Sequence, residues 1–202
     1  RSSGSWGAGT ASSVAAAFGI RQADTTPPVP TLTAPTANAN IKNGVSLTAT
    51  LTDDNSGPAS VTYYYCAGNV TCTPATGTAI GSVTLATSAT YSYTWTGQPA
   101  DGQYTLLAKG FDIAGNVADS STVLVRIDNT APTQALSATA VTNAAGQYFN
   151  ASTNTFYYNT GAGGSFTLTS VPTESGSGLT NIVFPAISVT GFTGSTKTVA
   201  SP

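Results

Sequence analysis

The chain contains no histidine and no methionine, a single glutamate, and only six basic residues among 202. Without histidine, neither a Ser–His–Asp triad nor a Cys–His pair can be assembled, and histidine-bearing zinc sites are excluded as well. Paired carboxylates would have to come from the aspartates, because Glu174 is the one glutamate. No serine carries glycines two positions before and two after it, and no GxxxxGK[ST] loop occurs. The expectation is a protein that is not an enzyme. A net charge of −2 and a pI near 4.6 leave no basic patch for phosphates, which argues against a nucleic-acid partner. No apolar run approaches the ~20 residues of a spanning helix, so no membrane span is expected in this chain. No basic, apolar-cored leader is evident, and a start at Arg1 is expected of a processed protein or a piece of a longer one.

What is present is apolar material set in an uncharged polar background. Hydrophobic residues make up 40% of the chain and charged ones 7%, so a core can form while Ser, Thr, Gly and Asn keep the surface wet. The apolar residues alternate with a period of two. "VSLTATLT" (45–52) sets Val45, Leu47, Ala49 and Leu51 against Ser and Thr. "SVTYYYC" (60–66), "YSYTWTG" (91–97), "QYTLLAKGF" (103–111) and "TVLVRID" (122–128) do the same, with Tyr91, Tyr93 and Trp95 on one face of the second of these. Shorter strands are read near 29–33 and 81–85. Seven such segments, separated by Gly, Pro, Asn and Asp clusters, predict an all-β fold: a two-sheet Greek-key sandwich of the immunoglobulin-like kind. In such sandwiches a tyrosine opening the sixth strand folds back to hydrogen-bond the chain just upstream; Tyr104 in "DGQYTLL" is the candidate, plain core packing being the alternative.

The stretch "DGQYTLLAKGFDIAGNVADSSTVLVRIDNTAP" (101–132) resembles the second half of a bacterial immunoglobulin-like repeat, with a D-G-x-Y strand, a D-x-A-G-N turn and a closing D-x-T-x-P. The resemblance implies tandem domains in a large secreted or cell-surface protein. The closing motif has an echo 104 positions earlier, "QADTTPP" (22–28) against "RIDNTAP" (126–132). "TESGSGLTNIVFP" likewise resembles "TDDNSGPASVTYY" of the first copy. The chain thus divides into a strand-like arm at 1–23, a first sandwich at 24–130, and a second, incomplete sandwich at 131–202. From Pro28 to Gly57 is 29 positions, whereas Pro132 to Gly178 is 46, and the excess falls on an additional aromatic hairpin at 146–166. Its residues Tyr148, Phe149, Phe156, Tyr157 and Tyr158 are read as core or as a carbohydrate or partner surface.

Four sets of candidate residues emerge. In the arm, Val14, Ala16, Phe18 and Ile20 alternate and would suit strand exchange with a neighbouring copy, building a head-to-tail fibre. Cys66 and Cys72, in "CAGNVTC", lack partners for a metal site and suit a short-loop disulfide, hence an oxidising, extracellular or cell-surface setting; two surface thiols are the alternative. Immunoglobulin-like topology brings the entry linker and two loops to one end of the sandwich, so Asp24, Asp53, Asp54, Asp112 and Asn116 gather there. Asp128 and Glu174 repeat part of the set. Ca²⁺, which takes ~6–8 oxygen ligands, would suit such a cluster; turn chemistry of Asp and Asn accounts for the same residues without an ion, and no cofactor is required. Asn69 in "NVT" and Asn150 in "NAS" match the N-glycosylation pattern. The expected function is that of an extracellular structural or adhesive protein: a repeat module of a bacterial surface stalk, adhesin or self-assembling fibre. Its partners would be further immunoglobulin-like repeats or copies of itself, with a surface glycan or protein as ligand. The competing expectation is an accessory or carbohydrate-binding module of a secreted polysaccharide-degrading enzyme.

Overall fold

The computed structural model describes residues 22–84, 90–142, 144–153 and 155–200. The arm residues Val14, Ala16, Phe18 and Ile20 lie outside them. The first part of the chain forms nine strands: β1 (Val29–Ala34), β2 (Ala39–Ile41), β3 (Val45–Thr52), β4 (Pro58–Ala67), β5 (Thr78–Thr84), β6 (Thr90–Trp95), β7 (Gly102–Asp112), β8 (Val117–Asp119) and β9 (Val123–Ile127). They make two facing sheets, ordered β1-β3-β6 and β2-β9-β7-β4-β5, with β8 added on β7. All pairings are antiparallel except β2 with β9, which run parallel from Ala39↔Val125 to Ile41↔Ile127.

The alternating positions close the core between the sheets. Leu47, Ala49, Leu51, Tyr91 and Trp95 from one sheet meet Ile41, Val61, Tyr63, Leu106, Ala108, Val125 and Ile127 from the other, all buried. The outward positions carry hydroxyls that pair across strands, Thr62 with Ser82 at 2.8 Å and Thr48 with Ser92 at 3.3 Å. Tyr63 is buried in this core; its phenol donates to the carbonyl of Tyr91 at 2.6 Å, and burial pushes its pKa up to about 12. At Gly110 the facing sheet comes close: a Cβ there would overlap Leu51 and press on Pro30.

β7 is buried on both faces, which strict alternation does not anticipate. Its inner face holds Tyr104, Leu106 and Ala108; on its outer face Thr105 and Leu107 are 3% and 2% exposed. The cover is the loop between β4 and β5, tied by the Cys66–Cys72 disulfide. Cys66, Cys72 and Leu107 pack as a second small cluster with Tyr64 against it. The Thr105 hydroxyl anchors the loop, donating to the carbonyl of Gly68 at 2.8 Å and accepting from the amide of Val70 at 3.3 Å. The disulfide therefore holds a flap over the sheet as well as closing a loop tip.

After the linker come β10 (Thr133–Thr142), β11 (Gln147–Asn150), β12 (Thr155–Tyr158), β13 (Ser165–Thr173), β14 (Asn181–Phe184), β15 (Ser188–Val189), β16 (Phe192–Thr193) and β17 (Lys197–Ala200). They pair as four two-stranded ladders, β10-β13, β11-β12, β14-β17 and β15-β16. The first ladder repeats the register of β1-β3: Val29 faces Thr52 in one and Thr133 faces Thr173 in the other. The β11-β12 ladder is the aromatic hairpin expected from the length difference. Its inward residue Phe156 packs on Phe166 of β13, ring centroids 4.1 Å apart, and Phe166 in turn stacks on Phe192.

Candidate functional site

The polar residues that the sequence marks concentrate where the linkers meet the sandwich. At the entry, Asp24 folds back on its own segment and onto the β3–β4 loop. One carboxylate oxygen accepts from the amide of Thr26 and the other from the amide of Ser56, each at 2.9 Å. Asp53 closes that loop by accepting from the amide of Gly57 at 2.6 Å, where φ is +91° and glycine is the residue that fits. Asp112, 3% exposed at the end of β7, accepts from the amide and the side-chain nitrogen of Asn116, both at 2.7 Å. The same Asn116 nitrogen donates to the carbonyls of Asp24 and Thr26 at 3.2 and 3.4 Å. One amide thus stitches the linker to the β7–β8 turn.

The exit is built with other residues. Asp101, in the Asp-Gly pair that opens β7, accepts from the amide of Asn129 at 2.7 Å and from the hydroxyl of Thr130 at 2.5 Å. Asn129 accepts from the amide of Asn43 at 2.7 Å. The linker then reaches forward: Asp128 accepts from the amides of Thr130 and Ser177, and Arg126 donates to the carbonyl of Ser175 at 3.0 Å. Ser177 occupies in "TESGSG" the place of Ser56 in "TDDNSG", and Gly178, with φ +85°, that of Gly57. The Asp24–Thr26–Ser56 clasp therefore recurs as Asp128–Thr130–Ser177. Gly176 lies so close to the Asp128 carboxylate that any side chain there would collide with it. Glu174 accepts from the amide of Gly176, standing in for the loop-closing Asp53.

Electrostatics follow from these bonds. The carboxyl of Asp24 is held below its ordinary value of 3.8 chiefly by Ser56, that of Asp101 by Thr130, and that of Asp128 by Ser177. Each donor favours the ionised form.

Of the residues expected to gather as oxygen ligands, Asp24, Asp53 and Asp112 do, with one carboxylate oxygen of each within 4.8 Å of the others. Asp54 is exposed and stands outside the group, and Asp128 and Glu174 belong to the other junction. The donor set is all oxygen, the kind Ca²⁺ takes. The hydrogen bonds satisfy most of it: among these carboxylates, the buried atom without a partner is one oxygen of Asp53. Tyr104 donates to the carbonyl of Ala100 at 2.7 Å, the tyrosine corner anticipated for it, and Trp95 lies in the core at 2% exposure. Asn69 is exposed on the disulfide-tied loop; Asn150 is half-buried, its side-chain oxygen accepting from the amide and hydroxyl of Ser152. Ser56, Asp101, Asn129 and Ser177 were not singled out by sequence reasoning. The shared Ser-Gly of the two aligned loops was the available signal for the serines.

A strand order of β1-β3-β6 facing β2-β9-β7-β4-β5, with a tyrosine corner, is that of an immunoglobulin-like sandwich. Residues 28–108 match the family model of the bacterial Ig domain. This segment is a bacterial Ig domain. Such domains typically occur in extracellular proteins. The match runs from the end of the entry clasp through β1 to the middle of β7. None of the curated proteins matches the chain. Among solved structures, the fibronectin(III)-like modules of Clostridium thermocellum CbhA are 21% identical, over 51% of this chain and 99% of theirs, at a TM-score of 0.33. An LPMO from Kitasatospora papulosa is 13% identical, over 46% of this chain and 51% of its own, at 0.34. Among the described residues, in the bacterial Ig domain and in the ladders after it, no helix is long and apolar enough to cross a membrane.

Proposed function

We propose that the chain is a non-catalytic structural module of an extracellular bacterial protein, a spacer in a surface stalk, adhesin or fibre whose partners are neighbouring Ig-like repeats. The observation that carries this reading is the repeated clasp, Asp24–Thr26–Ser56 and Asp128–Thr130–Ser177. A flexible tether would leave its linker polar groups to water. Here a linker carboxylate bonds the loop of the unit it enters, and Asp101 bonds the same linker from the unit it leaves. Pro27, Pro28 and Pro132 add fixed φ angles beside the clasps, so bending is limited by covalent geometry as well. Flap and disulfide suit an oxidising exterior.

Small-angle X-ray scattering on the full chain tests the reading. The expected result is a narrow distribution of overall dimensions that broadens in Asp128→Ala and in Asp101→Ala. A distribution as broad in the unsubstituted chain as in both variants would overturn it.

A further inference from the structure

The outward face of the β11-β12 hairpin carries a facing pair of aromatic rings. In the Ig domain, two outward cross-strand pairs are hydroxyls, Thr62–Ser82 and Thr48–Ser92. On the hairpin, Tyr148 directly faces Tyr157, and the two rings lie within 25° of parallel with centroids 6.2 Å apart. They are 63% and 55% exposed. Alternation forbids their joining the core: the inward partners in the same two strands, Phe149 and Phe156, already face each other, and Phe156 is packed on Phe166. The hairpin is also the segment by which the second copy exceeds the first, so the pair is not required to build the shared fold.

We propose that this face binds a neutral polysaccharide chain, with the rings of Tyr148 and Tyr157 as its platform. The chemistry selects the ligand class. No charged residue occurs in the sequence between Asp128 and Glu174, so the hairpin itself carries no charge with which to hold an ionic ligand. The negative face of an aromatic ring attracts the polarised C–H bonds on the flat side of a pyranose, and a tyrosine spends little rotamer entropy in doing so. Next to the rings on the outward row stand Asn150 and Thr155, an amide and a hydroxyl facing each other across the ladder. A shallow recess of about 280 Å³ beside Tyr148 and Tyr157, walled by Gly146, Tyr158 and Asn159, gives room for a sugar unit off the platform.

Native affinity gels cast with xylan, mixed-linkage β-glucan or amylose, and with alginate as a charged control, test this on the full chain. Retardation is expected in at least one neutral gel, undiminished at high salt, and absent in alginate. Tyr148→Ala and Tyr157→Ala should each weaken it about tenfold, whereas Tyr148→Phe, which keeps the ring face, should stay within about threefold. In the unsubstituted chain, the soluble oligosaccharide of the retaining gel should shift the ring resonances of Tyr148 and Tyr157, a readout that does not depend on variants folding. No retardation in any neutral gel, retardation undiminished in both alanine variants, or self-association through these tyrosines in place of sugar binding would overturn the proposal. The spacer reading stands or falls separately, on the scattering data.

Discussion

Tyr104 donates its phenolic hydrogen to the carbonyl of Ala100, four residues upstream and 2.7 Å away, while its ring packs edge-on against Tyr65. This one side chain fixes how the chain turns from the preceding loop into β7, the strand both sheets lean on. Tyr104→Phe keeps the ring and deletes the bond. The expected loss is about 1 kcal/mol of unfolding free energy, rising where the Ala100 carbonyl is left without a donor. Urea denaturation followed by tryptophan fluorescence would read it, and an unchanged midpoint would show the corner to be idle.

The disulfide flap offers a second test. Replacing Cys66 and Cys72 by serine frees a short loop, which by chain entropy alone costs about 2 kcal/mol. It also lets water reach Leu107 and Thr105. Stability should fall by at least that amount, and amide exchange should accelerate first on the outer side of β7. Exchange that accelerates evenly over both sheets would mean the flap does not protect the strand.

Acid should loosen the junctions before it unfolds the sandwich. Asp24, Asp101 and Asp128 all have folded pKa values below the ordinary 3.8. A lowered folded pKa contributes stability that is fully present above the unfolded value and is lost as pH falls through the folded one. Stability is therefore expected to be level from neutrality down to about pH 5 and to decline below about pH 4. The three Asp→Asn variants should flatten that decline. Denaturant midpoints taken across the range would check it, and a midpoint that rises in acid would contradict the assignment.

At the entry junction, backbone amides and Asn116 already hold the three gathered carboxylates. Thermal melts in chelator and in millimolar Ca²⁺ are accordingly expected to superimpose. A rise in Tm with Ca²⁺ that Asp53→Asn abolishes would assign the cluster to a cation instead, through the Asp53 oxygen that lacks a partner.

The main strands were legible because one face of each is buried against the opposite sheet. Leu47, Ala49 and Leu51, or Val125 and Ile127, carry that demand in their own spacing. β2 and β8 were not legible, since three residues are too few to show a period. Leu107 reads as outward by parity and is outward; what buries it is a loop distant in sequence, held there by a disulfide and by Thr105. At the junctions, topology alone brought Asp24, Asp53 and Asp112 together. Asp101 escaped notice because Asp-Gly is ordinary turn chemistry, and its bonds to Asn129 and Thr130 depend on a linker that arrives only after β9.

The parallel pairing of β2 with β9 has a mechanical consequence. These strands lie near the two ends of the domain and point the same way, so tension applied through the linkers drags them past each other along their length. Their hydrogen bonds, flanked by Asn38 to Leu124 and Asp128 to Ile41, must then break together in shear rather than peel open one at a time. A domain pulled in this direction resists with its whole β2-β9 seam.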